Sequence, residues 1–309
     1  MRRIIDFHAH LGDIFHTRVN VVWDTEEKDF GKYKDPFKIQ EEGGFVDPLI
    51  GPDPAELEHL FDVGQYLCWN NTLASLTKKL DKFGVNYINI FPIHPCNTFE
   101  EMLAASKFEP RILPWSSANY LLGLDDMVEK LKSDIKRGAR GLKIHPILQN
   151  ISLADPKVHA AVELFASYNL PILSHCGPND YYHEGDNYPR TPEFGDVSHF
   201  ITLAKEYPNI KLIAGHAGGL MGGELEQLGT ETKGMDNVYV DLTFRGWEDI
   251  LRSIDYFGAD HVLFGTDTPF SSHAGVIKQV ELAVEKAGDP KLADMIFFDN
   301  AAKLLHIYR

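Results

Sequence analysis

His8 and His10 stand two residues apart in the stretch IIDFHAH, Ile4 to His10, and Asp6 precedes them at the same spacing. Side chains of a β-strand alternate between its faces, so this spacing predicts Asp6, His8 and His10 on one face. Two neighbouring imidazoles are half of a metal site, since a neutral imidazole nitrogen is a good donor to zinc and related divalent ions. Other polar residues follow short apolar runs in the same way: Lys143 and His145 in GLKIHP, His175 in LPILSHCG, His216 in LIAGHAGG and Asp267 in HVLFGTDTPF. Several imidazoles and one carboxylate at the ends of separate strands suit a divalent ion, and a coordination position left to water makes such a site catalytic. His94, in FPIHP, has the same setting as His145, and each is open to a structural role or a substrate contact. Cys176 beside His175 reads as a small buried hydrophobe rather than a nucleophile.

For these residues to meet, parallel strands must deliver them to one end of a sheet. The runs IIDFHAH, VNYINIFPIHP, RILPWSSAN, GLKIHP, LPILSHCGP, NIKLIAGHAGG, NVYVDLTF and HVLFGTDTPF read as eight strands. Most are nearly continuous apolar runs, as in a parallel sheet buried on both faces. Helical stretches separate them, among them Leu73 to Phe83 with Gly84 as a stop, Leu124 to Arg137, and Asp155 to Asn169 with Pro156 at its first position. Eight strand–helix units in one α/β domain of residues 1–309 predict a TIM barrel whose catalytic residues gather at the C-terminal ends of the strands; an open doubly wound sheet is the alternative. The segment Leu11 to Asp62 shows no sustained period and is too long for a plain connection, so it is expected to be an insertion that covers the mouth. Phe15, Trp23 and Phe45, with Trp69 just beyond, would then form an apolar wall.

The composition narrows the partners. With 30 basic and 45 acidic residues the formal charge is −15, which argues against nucleic acid or an anionic membrane as partner. Cys68, Cys96 and Cys176 are too few and too dispersed for a disulfide framework, which favours a reducing compartment. The opening apolar run is broken at once by Asp6, His8 and His10, so no signal peptide is expected, and no stretch reaches 18 apolar residues. A cytoplasmic protein acting on a small molecule is the expectation, with a homo-oligomer allowed for.

The ordered set FHAH, GLKIHP, LSHCG, AGHAGG, YVDLT and FGTDTPF resembles the amidohydrolase superfamily, and within it the metal-dependent branch that includes aminocarboxymuconate-semialdehyde and resorcylate decarboxylases. The resemblance covers strand one and the chain from strand four onward; residues 11 to 80 match nothing in it. It implies metal ligation by His8, His10, His175 and Asp267, and an acid/base or metal-interacting role for His216. Lys143 falls where binuclear members carry a carboxylated, metal-bridging lysine, but GLKIHP offers no second carboxylate to balance another cation. One zinc-like ion with an unmodified Lys143 is therefore expected, with two ions as the other case.

Two reactions follow. In the first, metal-activated water hydrolyses an amide, ester or lactone, with Asp267 as general base and His216 orienting the substrate or stabilising the oxyanion. In the second, the same site decarboxylates an aromatic or enoic acid. Arg18, Arg190 and Arg245 are the candidate anchors for a substrate carboxylate. A barrel that only binds a ligand is disfavoured, because burying so many unpaired polar groups without use costs stability.

Overall fold

The computed structural model describes residues 2–16, 35–49 and 54–307. Among the described residues, nine short parallel strands form two ladders. Strands β1 (Ile5–Ala9), β2 (Tyr87–Ile90) and β3 (Ile112–Pro114) make the first, in that order. The second runs β4 (Ser116–Ser117), β5 (Leu142–Ile144), β6 (Ile172–Ser174), β7 (Leu212–Ala214), β8 (Val238–Asp241) and β9 (Val262–Leu263). β3 and β4 are one barrel strand interrupted at Trp115, whose fully buried ring packs edge-on against Phe7 and Phe91. The ladders therefore fill the eight strand positions of a TIM barrel. At the far seam, backbone hydrogen bonds run from Phe7 N to Phe264 O (2.8 Å), Asp267 N to His8 O (2.7 Å) and His10 N to Thr268 O (2.9 Å).

Helices cover the strands where the apolar spacing predicts them. Leu73–Phe83 begins at the Thr72 cap and ends at Gly84 in the left-handed region, and Pro156–Ser167 begins with proline behind an Asp155 cap. Trp247–Phe257 and Glu224–Glu231 are further helices between the later strands. Inside the barrel, Ile5, Phe7, Phe91, Trp115, Leu173 and Ile213 form one apolar plug. Gly141 is required beside it, because a Cβ there would meet the Trp115 ring at 2.5 Å.

One sequence expectation needs correction. Asp6 does not share a face with His8 and His10. The β1–β2 register slips between Asp6 and Ala9, and such a bulge resets the alternation. Phe7 enters the barrel, whereas Asp6 turns to the Thr266 hydroxyl (2.6 Å) and to His273 Nε2 (3.0 Å) at the start of the helix His273–Ala287. The long segment after β1 also contains regular structure, the helix Pro36–Glu42 and the start of Pro54–Trp69. It is tied to loops that follow β7 and β9: Leu49 N donates to Leu220 O at 3.0 Å, and Ser272 Oγ to Glu41 Oε1 at 2.7 Å. Arg18 and Trp23 lie outside the described residues. Among the described residues, no helix is long and apolar enough to cross a membrane.

Candidate metal centre

At the C-terminal ends of the strands, His8, His10, Lys143, His145, His175, His216 and Asp267 are all buried and close together. His8 Nδ1 lies 2.9 Å from Asp241 Oδ2. A carboxylate only accepts, so Nδ1 carries the proton and Nε2 keeps its lone pair. His10 reaches the same state through the Phe91 carbonyl, 3.0 Å from its Nδ1. Both Nε2 atoms approach Asp267 Oδ1, at 3.5 Å and 3.3 Å, without hydrogen-bond geometry, and that buried carboxylate oxygen has no partner. The Lys143 ammonium reaches the His8 nitrogen at 3.1 Å, but His10 Nε2 and Asp267 Oδ1 face one another as acceptors with no proton between them, which is costly unless a cation lies among them. The ligand atoms of His8, His10 and Asp267 all lie within 4.8 Å of one another. This donor set fits a divalent metal ion.

Asp241, given no role of its own in the sequence reading, is the other central carboxylate. Its second oxygen accepts from the Thr243 hydroxyl (2.6 Å), Thr243 N (3.1 Å) and His216 N (3.2 Å). Because the Thr243 proton goes to Asp241, the 2.5 Å contact between Thr243 Oγ1 and His216 Nδ1 needs the proton on His216 Nδ1. His216 Nε2 lies 3.0 Å from His175 Nδ1, and His175 Nε2 lies 3.0 Å from the Tyr181 hydroxyl and 3.2 Å from the Gly177 carbonyl oxygen. A relay thus runs from Asp241 through Thr243, His216 and His175 to Tyr181. A second group within metal-binding spacing, His8, His216 and Asp241, lies inside this network. Its carboxylate oxygens are already engaged, which Asp267 Oδ1 is not. His175, with its Nε2 beside the Gly177 carbonyl, stands in the relay rather than in the His8–His10–Asp267 group.

Burial dominates the electrostatics. It holds His8, His145 and His216 well below the usual imidazole range and brings His175 down to about 3, with neighbouring cations adding to the effect. Lys143 is lowered to about 8 by burial, against the pull of Asp267 and Asp241; its Nζ lies 3.1 Å from His8 Nε2. Burial raises the Asp267 carboxyl, opposed mainly by His10. His145 stacks flat on His175 at 4.1 Å. Burial pushes the Cys176 thiol up, consistent with an inert side chain. His216 and Asp267 both have backbones in the left-handed region, at φ 56° and 53°. Such strain concentrates where function fixes the geometry.

The site opens into a cavity of about 710 Å³, mouth included, walled by Phe15, Phe37, Phe61, Phe244 and Phe270 together with Leu49 and Leu220. Of the described members of the expected aromatic wall, Phe15 is in place, whereas Phe45 is buried against Phe244 behind it and Trp69 is 43% exposed and away from it. No described arginine or lysine lines the cavity. Arg245 is neither solvated nor an anchor, being fully buried and spent on the carbonyls of His216 and Gly219 and on Asp249. Arg190 holds Asp180 at 2.7 Å and nearby carbonyls. His94 lies off the cavity, its N–H near Ser117 Oγ.

Asp241, Thr243, Asn179 and Tyr181 escaped the sequence reading as site residues. Asp241 ends a buried strand and could have been found by the criterion that found Asp267; the other three sit on loops with no periodicity to mark them.

No curated protein matches the chain. Among solved structures, an uncharacterised TIM-barrel protein from Bordetella bronchiseptica is 15% identical with a TM-score of 0.66, over 98% of both chains. A 2,6-dihydroxybenzoate decarboxylase from Rhizobium is 14% identical with a TM-score of 0.64, over 99% of both. A candidate 2-pyrone-4,6-dicarboxylic acid hydrolase from Pseudomonas putida is 15% identical with a TM-score of 0.59, over 98% of this chain and 97% of the other. These likenesses are of fold. The sequence itself matches the amidohydrolase family model over residues 5–307, a span that takes in every strand end in the buried cluster, and the chain belongs to the amidohydrolase family.

Proposed function

We propose that the protein is a metal-dependent hydrolase that cleaves an amide, ester or lactone of a small molecule, using one divalent ion, zinc by preference. His8, His10 and Asp267 would hold the ion, with His175 as fourth donor. The observation that carries this reading is Asp267 Oδ1, a buried carboxylate oxygen with no hydrogen-bond partner beside the Nε2 atoms of His8 and His10. Bound there, the ion would polarise a substrate carbonyl and make a water molecule acidic enough to lose a proton near neutral pH.

The protein's own groups do the rest. Asp267, kept weakly acidic by burial, takes the water proton and returns it to the leaving group. Asp241 fixes the His8 tautomer and, through Thr243, that of His216. His216 then presents an acceptor rather than a donor, so its part is to hold a substrate hydrogen or take a proton, not to stabilise an oxyanion. Lys143 remains unmodified, and its Nζ, 3.1 Å from His8 Nε2, would give up that contact when the ion takes the lone pair. Segment 11–62 acts as a lid, supported by the presence of Phe15, Phe37, Leu49 and Phe61 on the cavity wall. The test is metal analysis of the purified protein, then a turnover screen of neutral esters, lactones and amides with and without a chelator. About one equivalent of metal and chelator-sensitive acid release are expected. Undiminished hydrolysis by metal-free protein would refute the reading.

Decarboxylation is the second reading, favoured by the phenylalanine wall and by the lack of a described cationic side chain on it: an aromatic carboxylate would then be anchored at the ion. The protonated form of His216 would return a proton to the ring carbon. Release of carbon dioxide from resorcylate-type acids, without hydrolysis of neutral carbonyl compounds, would select this reaction.

A further inference from the structure

His145 stands just after β5 on the wall of the cavity, and neither the metal centre nor the relay uses it. It is 3% exposed and firmly held. Its N–H donates to Gln149 Oε1 at 2.8 Å, and its carbonyl accepts from Gln149 N at 2.9 Å. Gln149 is anchored in turn on Ser117 Oγ and the Ala118 carbonyl. The ring lies flat on that of His175, with planes 6° apart. A side chain fixed by its neighbours in this way is suited to meet a ligand without reorganising.

The backbone decides the tautomer. Leu148 N donates to His145 Nδ1 at 3.3 Å. A peptide N–H can only donate, so Nδ1 keeps its lone pair and the ring proton is on Nε2. The two ring nitrogens point in nearly opposite directions, which turns Nε2 away from the Leu148 backbone. Among the described residues no group accepts from Nε2. Unlike Asp267 Oδ1, it is not sealed off by protein atoms, and the cavity that His145 lines is its opening.

The geometry points to His145 Nε2–H as an uncharged donor that binds an acceptor-only oxygen of the substrate at the wall beside the metal centre. Ketone, ester, lactone and carboxylate oxygens are the chemical class. A hydrocarbon group in the same place would bury the N–H without a partner and is selected against. This rests on the reading that the cavity takes the substrate. Under hydrolysis the oxygen is the carbonyl that becomes an oxyanion, and His145 supplies the donor that His216 does not. Under decarboxylation it is an oxygen of the carboxylate.

The test reads the proton and the binding, neither of which needs turnover. NMR spectra of the full chain with nitrogen-labelled histidine are expected to show His145 as the Nε2–H tautomer. Ligand-detected NMR on the metal-stripped protein then gives dissociation constants for acetophenone and for α-methylstyrene, which exchanges the carbonyl oxygen for a methylene group of similar shape. His145→Asn can place its amide against Leu148 N but leaves nothing at Nε2. It is expected to weaken acetophenone about tenfold and to leave α-methylstyrene unchanged. His145→Gln, which carries an N–H near the Nε2 position, restores acetophenone binding. An Nδ1–H tautomer, undetectable binding of acetophenone to the unaltered protein, or a His145→Asn variant that binds acetophenone undiminished or loses both ligands equally overturns the assignment. A protein that shows the expected pattern but takes up no zinc would sink the hydrolase reading alone.

Discussion

Two carboxylates stand at the barrel mouth in opposite states. Asp241 is fully buried and saturated, engaging His8, Thr243 and the His216 amide. Asp267 is equally enclosed, yet one oxygen has no partner. The difference separates supporting a site from serving it. A satisfied buried network stabilises and orients, whereas an unsatisfied group is kept at a cost that a ligand can offset. On this comparison, we propose that Asp241 belongs to the scaffold and Asp267 to the chemistry.

The sharpest way to break the comparison is to neutralise each carboxylate. Asp267→Asn is expected to lower turnover by about 10²- to 10⁴-fold and to weaken metal binding. Burial raises the Asp267 carboxyl, so its charged form costs folding energy above that pKa. The metal-stripped variant should accordingly unfold at the same or higher denaturant concentration at pH 7. Asp241→Asn should behave in the opposite way, losing about 3–5 kcal/mol of stability because a partnered buried charge is removed. Matching denaturation midpoints for the two variants would erase the distinction.

His8→Ala comes next, with an expected loss of metal and activity and near-native circular dichroism. A variant that still turns over substrate would place the chemistry elsewhere.

Acid should expose the imidazole set. The pKa values of His8, His145, His175 and His216 are depressed in the folded state, so below about pH 6.5 the unfolded chain takes up protons that the folded chain refuses. Stability of the stripped protein should fall as pH drops from about 6.5 toward 3, by about 1.4 kcal/mol per pH unit for each histidine that stays neutral. Urea midpoints that coincide at pH 7 and pH 5 would contradict this. The smallest effect is expected from Thr243→Val, which removes one link between Asp241 and His216: about 1–3 kcal/mol in stability, with metal stoichiometry retained. A variant with both intact stability and unchanged turnover would show that the relay is idle.

How far the sequence could be read depends on what each residue's neighbours reveal. His8, His145, His175, His216 and Asp267 were legible because a polar residue ending a buried strand has few places to go but the mouth. Asp6 fits the alternation perfectly, and only the register slip in β1 sends it to His273 instead. Arg245 resembles any loop arginine until its partners, the His216 and Gly219 carbonyls, are known. Phe45 and Trp69 have the right chemistry on the wrong side of the wall. Burial favours apolar residues without specifying which cavity they face.

The seam between β1 and the stretch after β9 carries a consequence for how the protein comes into being. His8, His10 and Asp267 lie on its two sides, and Thr266 bonds Asp6 across 260 positions of sequence. A contact that remote closes late and slowly, after most local structure has formed. The donor group is therefore absent from any nascent or half-assembled barrel, and an ion added during refolding would favour the closed form by mass action. Metal uptake would then serve as a clock for the final event of folding.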